Sequence, residues 1–360
     1  MTPKEISDPA SRAKAFAAWL GIRLPILLAP MAGACPPSLS IAVANAGGMG
    51  ACGALLMNPE EIAAWCAEFR QQSDGEFQLN LWIPGPAPKR DAELEARQRE
   101  HLGHWGPPVS ESAAESVLPD FDVQCKAMLE ARPKAISSIM GLYAPSFVAQ
   151  MKARGILWLA TATTVAEAKA AEAAGADAII AQGMEAGGHR GAFDASEAER
   201  RMVGLFALLP QVADAVSIPV IAAGGIADAR GVAAALILGA SAAMIGTGFL
   251  RCPEAKVNEV WVEVLGKAEA DETMITSSFT GRPGRGIANS FARASRTQGT
   301  PPPAPYPLQR GLTRVMREEA SRTGDAERMQ MWAGQAAKLA RTEPAGKLAQ
   351  RLWEKASELL

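Results

Sequence analysis

Three histidines, two tyrosines and five cysteines are all that 360 residues contain, and each scarcity excludes something. The cysteines (Cys35, Cys52, Cys66, Cys125, Cys252) are scattered, with no CxxC pair and no metal-type spacing. That usage fits buried thiols in a reducing cytosol, not a disulfide framework or a thiolate metal centre. Lys and Arg (36) nearly balance Asp and Glu (38), and no basic stripe interleaved with aromatics is present, which excludes nucleic acid as the main partner. No apolar run reaches the length of a membrane span. The segment Met1–Asp8 carries acids and has no apolar core, so it does not read as a signal peptide. There is no nucleophile elbow, Ser/His/Asp set or Walker loop. His101 and His104 stand three apart without an evident third ligand, and the nearby glycine and prolines suggest a solvated pair in a loop. What remains is a cytoplasmic, globular, metal-free enzyme.

The chain does contain short apolar runs alternating with helix-like segments. Pro25–Ala32, Met49–Leu56, Phe77–Ile83, Ala135–Gly141, Leu157–Thr163, Asp177–Gly183, Pro219–Ile226 and Ala242–Phe249 read as eight buried strands. Thr164-Val-Ala-Glu167 is a capping box whose helix stops at Gly175, and Asn58-Pro-Glu-Glu61 offers an N-cap, a first-turn proline and acids. The segments around Ala174–Gly183 and Leu238–Thr247 echo one another as helix end, glycine and strand. Eight such units predict an α/β fold, a (β/α)8 barrel, with a doubly wound sheet as the alternative. Residues 14–252 would form the barrel, with 84–121 inserted after the third strand, and 253–360 a helical extension capping the substrate side.

Chemistry concentrates in Gln182-Gly-Met-Glu-Ala-Gly-Gly-His-Arg-Gly191, directly after the sixth strand. Two glycines, Gly187 and Gly188, let the backbone approach a flat ligand, and His189 sets an imidazole beside it. Gly224 and Gly225 end the seventh strand, and Met244-Ile245-Gly246-Thr247 ends the eighth. Bare amides at that point of a barrel suit a phosphate. Asn80 and Gln182 are carboxamides in apolar strands and match the donor/acceptor edge of a heterocycle, although each is equally consistent with a structural hydrogen bond. Glu185 reads as a salt-bridge partner for Arg190 in preference to a base. Gly48-Met-Gly-Ala-Cys-Gly53 matches GxGxxG, but it follows a helix and enters a strand, the reverse of a dinucleotide site.

With Ala29-Pro30-Met31-Ala32, the two glycine sites and Met331-Trp-Ala-Gly-Gln335, the Gln182–Gly191 motif resembles the nitronate monooxygenase (2-nitropropane dioxygenase) family over about residues 20–340. The resemblance implies a TIM barrel that holds FMN and oxidises alkyl nitronates, and nitroalkanes, with O2 to carbonyl compounds and nitrite. It implies FMN contacts from Ala29, Pro30, Met31, Asn80, Gln182, Gly187, Gly188, Gly224, Gly225, Met244, Ile245, Gly246, Thr247 and Gln335. It also implies a catalytic His189, and a homodimer is the expected assembly. Where relatives carry an aromatic residue and Gly-Leu-Pro, this chain has Met140-Gly-Leu-Tyr143, which makes Tyr143 a candidate donor to the substrate nitro group or a packing residue. FMN-dependent, NAD(P)H-using enoyl-acyl-carrier-protein or quinone reductases share the Glu-Ala-Gly-Gly-His motif and form the alternative.

Overall fold

The computed structural model describes residues 7–115 and 118–360; Met1–Ile6, on which most of the signal-peptide reading rests, lie outside the described residues. Each predicted barrel strand forms, trimmed at its ends: β1 (Ile26–Leu28), β2 (Gly50–Gly53), β3 (Phe77–Trp82), β4 (Ala135–Ile139), β5 (Leu157–Ala162), β6 (Ala178–Gln182), β8 (Val220–Ala223) and β9 (Ala242–Ile245). A two-residue strand, β7 (Gly188–His189), falls between β6 and β8 in the chain. The barrel strands lie in the order β1-β9-β8-β6-β5-β4-β3-β2, with parallel pairing, and a parallel bridge from Leu27 to Met49 closes the ring. The sheet is therefore a closed barrel and not a doubly wound layer.

Alternation along the strands divides the apolar residues between two layers. Leu27, Leu159, Ile180, Ile221 and Met244 fill the barrel interior, and Phe16 and Leu20 of the helix Pro9–Leu20 plug its lower end. The other faces pack against the helical ring, where Trp158, Ile179, Leu209 and Leu236 are buried. The Asn58–Glu61 capping box forms as expected, and the Thr164 hydroxyl caps its helix by accepting from the Glu167 amide. The GxGxxG segment follows the helix Pro37–Asn45 and becomes β2, so it packs strand against helix.

Two expectations about the additions need correction. Within 84–121 there is a helix, Ala92–Gly103, and His101 and His104 lie in its last turn and at its C-cap, not in a loop. The division at 252/253 does not hold to the end of the chain, because the helix Ala345–Ser357 packs between Pro37–Asn45 and Ala229–Ile237. There it buries Leu348, Ala349 and Leu352 and fills the eighth place in the barrel's outer ring. The segment between residue 253 and that helix contains strands as well as helices. β10 (Thr273–Thr276) and β11 (Gly284–Ile287) pair antiparallel, and β11 pairs in turn with β7. No described helix is long and apolar enough to cross a membrane.

Candidate active site

A cavity of about 430 Å³ opens at the C-terminal ends of the barrel strands and is roofed by the segment after residue 253. Barrel enzymes hold their chemistry at this end. One wall is bare backbone: Gly224 and Gly225, both at positive φ, with Gly246 and Thr247 beside them. Gly334 donates its amide to Thr247 Oγ1 (3.0 Å), which leaves the hydroxyl proton of Thr247 free for a ligand. The next helix N-terminus is already filled, because Asp228 accepts from the Gly231 amide at 3.1 Å. An anion here would therefore rest on the glycine amides and the Thr247 hydroxyl.

The two carboxamides lining the cavity have fixed polarity. Asn80 Nδ2 donates to the Ser137 carbonyl (3.3 Å) and hydroxyl (3.0 Å), so its Oδ1 faces the cavity as an acceptor. Gln182 is oriented the opposite way. Its Oε1 accepts from the Gly191 amide (2.8 Å) and from Arg190 Nη1 (3.1 Å), while Nε2 donates to the His189 carbonyl (3.2 Å). One Nε2 hydrogen remains for the cavity. A carbonyl and two obligate donors decide these orientations, so neither amide can flip without losing bonds. Both strand-end carboxamides therefore make structural hydrogen bonds and also present a free group to a ligand. Buried Arg190 also donates to the Gln182 and Gly183 carbonyls (3.4 and 2.7 Å).

His189 projects into the same cavity, edge-on to Trp82 (4.6 Å between ring centres) and Trp332 (4.9 Å). Its Nε2 lies 2.8 Å from Thr280 Oγ1. Burial, reinforced by the Arg282 and Arg310 charges, pushes the imidazole down to about 3, so it is neutral at physiological pH. Tyr306 leans on Trp82 at 5.3 Å, and its buried hydroxyl has no partner among the described residues. Arg310 and Arg317 line the mouth, and neither has a carboxylate within ion-pair distance among the described residues. Arg317 is held instead by neutral groups, the Thr313 hydroxyl, Gln330 Oε1 and the Arg310 carbonyl, and burial lowers it to about 10.

Ala29, Pro30, Met31, Asn80, Gln182, Gly187, Gly188, His189, Gly224, Gly225, Met244, Gly246 and Thr247 all come together around this cavity. Three candidates do not. Ile245 points into the outer core and only its carbonyl serves nearby, accepting from the Ala29 amide. Gln335 turns its side chain towards the Ala270 carbonyl (3.4 Å), and its neighbours Gly334 and Ala336 line the cavity instead. Tyr143 is 3% exposed, packed among Phe147, Trp158 and Phe121, and donates to the Ser137 carbonyl, so it is a core residue. Glu185 does not pair with Arg190. It caps the helix Leu205–Ala215, its carboxylate accepting from the Leu205 amide at 2.9 Å. Trp82, Thr280, Tyr306, Arg310, Arg317 and Trp332 were not anticipated. Two of them had a signal: Trp82 stands two residues after Asn80 on the same strand face, and Trp332 lies inside the Met331–Gln335 motif. Among the described residues no cluster suits a metal ion.

A closed parallel barrel with its main cavity at the strand C-termini defines a barrel enzyme. Comparison gives the family: the nitronate monooxygenase family model matches residues 14–355. A nitronate monooxygenase of Paraburkholderia phytofirmans is 40% identical over 339 residues, covering 92% of each chain. The solved nitroalkane oxidase of Streptomyces ansochromogenes superposes with a TM-score of 0.87 at 36% identity, covering 95% of this chain and 98% of its own. FabK of Thermotoga maritima gives a TM-score of 0.74 at 30% identity, covering 95% and 96%. The chain belongs to the nitronate monooxygenase family and is an oxidoreductase.

Proposed function

We propose that the protein is an FMN-dependent nitronate monooxygenase, converting alkyl nitronates and O2 to carbonyl compounds and nitrite. The observation that carries this reading is that one cavity unites bare amides for a phosphate, a fixed donor and acceptor for a heterocycle edge, and His189. Gly224, Gly225, Gly246 and Thr247 would hold the phosphate, Gln182 and Asn80 the pyrimidine edge, and Met31 the ring face. When bound, FMN supplies the electron acceptor for substrate oxidation. Arg310 and Arg317, which lack carboxylate partners among the described residues, and the Tyr306 hydroxyl, unpartnered among them, favour an anionic substrate such as a nitronate. A neutral His189 can accept the α-proton of a nitroalkane, while a preformed nitronate does not need that transfer.

The test is anaerobic mixing of the FMN-loaded protein with propionate 3-nitronate, and separately with NADH and NADPH, following flavin absorbance. Bleaching by the nitronate alone, with nitrite released once air is admitted, is expected. Fast bleaching by a nicotinamide with no response to nitronate would move the chain to the reductase alternative. His189→Asn should abolish nitroalkane turnover while sparing much of the nitronate activity; unchanged nitroalkane turnover would remove His189 from the reaction.

A further inference from the structure

His189 is held by one nitrogen only. Nε2 meets Thr280 Oγ1, whereas Nδ1 has no hydrogen-bond partner among the described residues and is not sealed away from solvent, so it opens onto the cavity that the ring lines. Thr280 belongs to the turn between β10 and β11, and β11 pairs with β7 so that Gly284 lies opposite His189. The same extension therefore aligns the histidine backbone and supplies its side-chain partner.

Thr280 has one hydroxyl proton. Its neighbours are His189 Nε2 at 2.8 Å, the Arg282 carbonyl at 3.2 Å, and the Arg282 amide at 3.4 Å, which can only donate. If Nε2 were bare, the hydroxyl would turn to it and the Arg282 carbonyl would lose this donor. If Nε2 carries the proton, it donates to Thr280 and the hydroxyl donates to Arg282, so both bonds are made. The second arrangement has one more hydrogen bond, which supports an excess of about fivefold over the other tautomer.

We propose that Thr280 fixes the tautomer of His189, with the proton on Nε2 and the lone pair of Nδ1 presented to the cavity. The inference deepens the proposed function by naming the nitrogen that would act. With a nitroalkane, the Cα–H bond breaks, its proton goes to Nδ1, and the electron pair stays on the substrate as the nitronate. The Nε2–H bond to Thr280 and the hydroxyl bond to Arg282 persist through that transfer, so neither side chain has to rotate. Thr280 is a positioning residue, acting through His189.

The experiment is NMR of protein labelled with 15N-histidine, read by long-range 15N–1H correlations. Only three histidines are present, and the His189 signal is the one that His189→Asn removes. A pyrrole-like Nε2 and a pyridine-like Nδ1 are expected. In Thr280→Val, nearly the same size at a site 2% exposed, the excess should fall towards an even mixture, and Thr280→Ser should restore it. Nitroalkane kcat should follow the population of that tautomer, which falls from about five-sixths to about one-half, so kcat should drop about 1.7-fold in Thr280→Val with KM unchanged. A wild-type signal with the proton on Nδ1, or a Thr280→Val variant with the wild-type tautomer, overturns the proposal. The expected tautomer and its response to valine, in a protein that turns over neither nitronate nor nitroalkane, would support the assignment and refute the proposed function.

Discussion

Gly187→Ala should loosen the joint between the barrel and the segment that roofs its cavity. Gly187 and Gly334 lie backbone to backbone: a Cβ on Gly187 would sit 2.5 Å from the Gly334 nitrogen, 2.7 Å from the Ala333 carbonyl carbon and 2.8 Å from Thr247 Oγ1. Backbone cannot swing aside as a side-chain tip can, so the two segments must part by about 1 Å to reach normal contact. Overpacking of this kind costs about 1–3 kcal/mol. The same movement strains the Gly334 amide bond to Thr247 and the Gln335 amide bond to the Glu185 carbonyl (both 3.0 Å), each worth about 1 kcal/mol. A loss of about 3 kcal/mol is the central expectation. At an unfolding entropy of about 2.1 cal/mol/K per residue over 360 residues, Tm should fall by about 4 °C. Scanning calorimetry with and without FMN, the proposed cofactor, measures the shift, and flavin fluorescence quenching measures its affinity, which should weaken. A variant with the wild-type Tm and FMN affinity would refute the close-approach argument.

Tyr143→Phe should cost about 1 kcal/mol through its lost bond to the Ser137 carbonyl and leave KM unchanged; a raised KM would return Tyr143 to the substrate site. His189 is held at about 3 against its usual 6.5, so the unfolded chain binds a proton between those values that the folded protein refuses. That group's contribution to stability is present above about pH 6.5 and is lost as pH falls towards about 3. Urea midpoints should therefore decline more steeply on acidification for the wild type than for His189→Asn, and parallel declines would contradict the depressed value. All five cysteines are free and buried, with Cys35 pushed up to about 12 by burial. A thiol reagent should label the native protein slowly and all five thiols after denaturation, whereas fast native labelling would contradict their burial.

The strands and the barrel floor of the site were legible because each rests on local rules. Apolar runs ending in glycine mark strand tips, and Asp228 and Thr164 mark the helices between them. Asn80 and Gln182 stood out as carboxamides in apolar runs, although their opposite polarity depends on Ser137, Arg190 and Gly191, partners that no spacing reveals. The roof of the cavity was illegible for the same reason. Thr280 and Trp332 meet His189, and Tyr306 and Arg310 line its cavity, in a roof joined to the motif by β11 pairing with β7, a contact between segments some 95 residues apart. Tyr143 misled because it is a rare residue near a strand tip, and rarity says nothing about which side of a strand a side chain takes. The helix Ala345–Ser357 was misplaced because its amphipathic pattern shows that it packs but not against what.

That helix also has a consequence for how the protein comes into being. A ribosome releases the eight barrel strands long before it makes residues 345–357, and until then the ring has a gap between the helices Pro37–Asn45 and Ala229–Ile237. The nascent barrel therefore exposes the apolar groove that Leu348, Ala349 and Leu352 later cover. A message truncated near its end would not yield a slightly shorter enzyme. It would yield a barrel whose groove remains open to chaperones, proteases and its own neighbours.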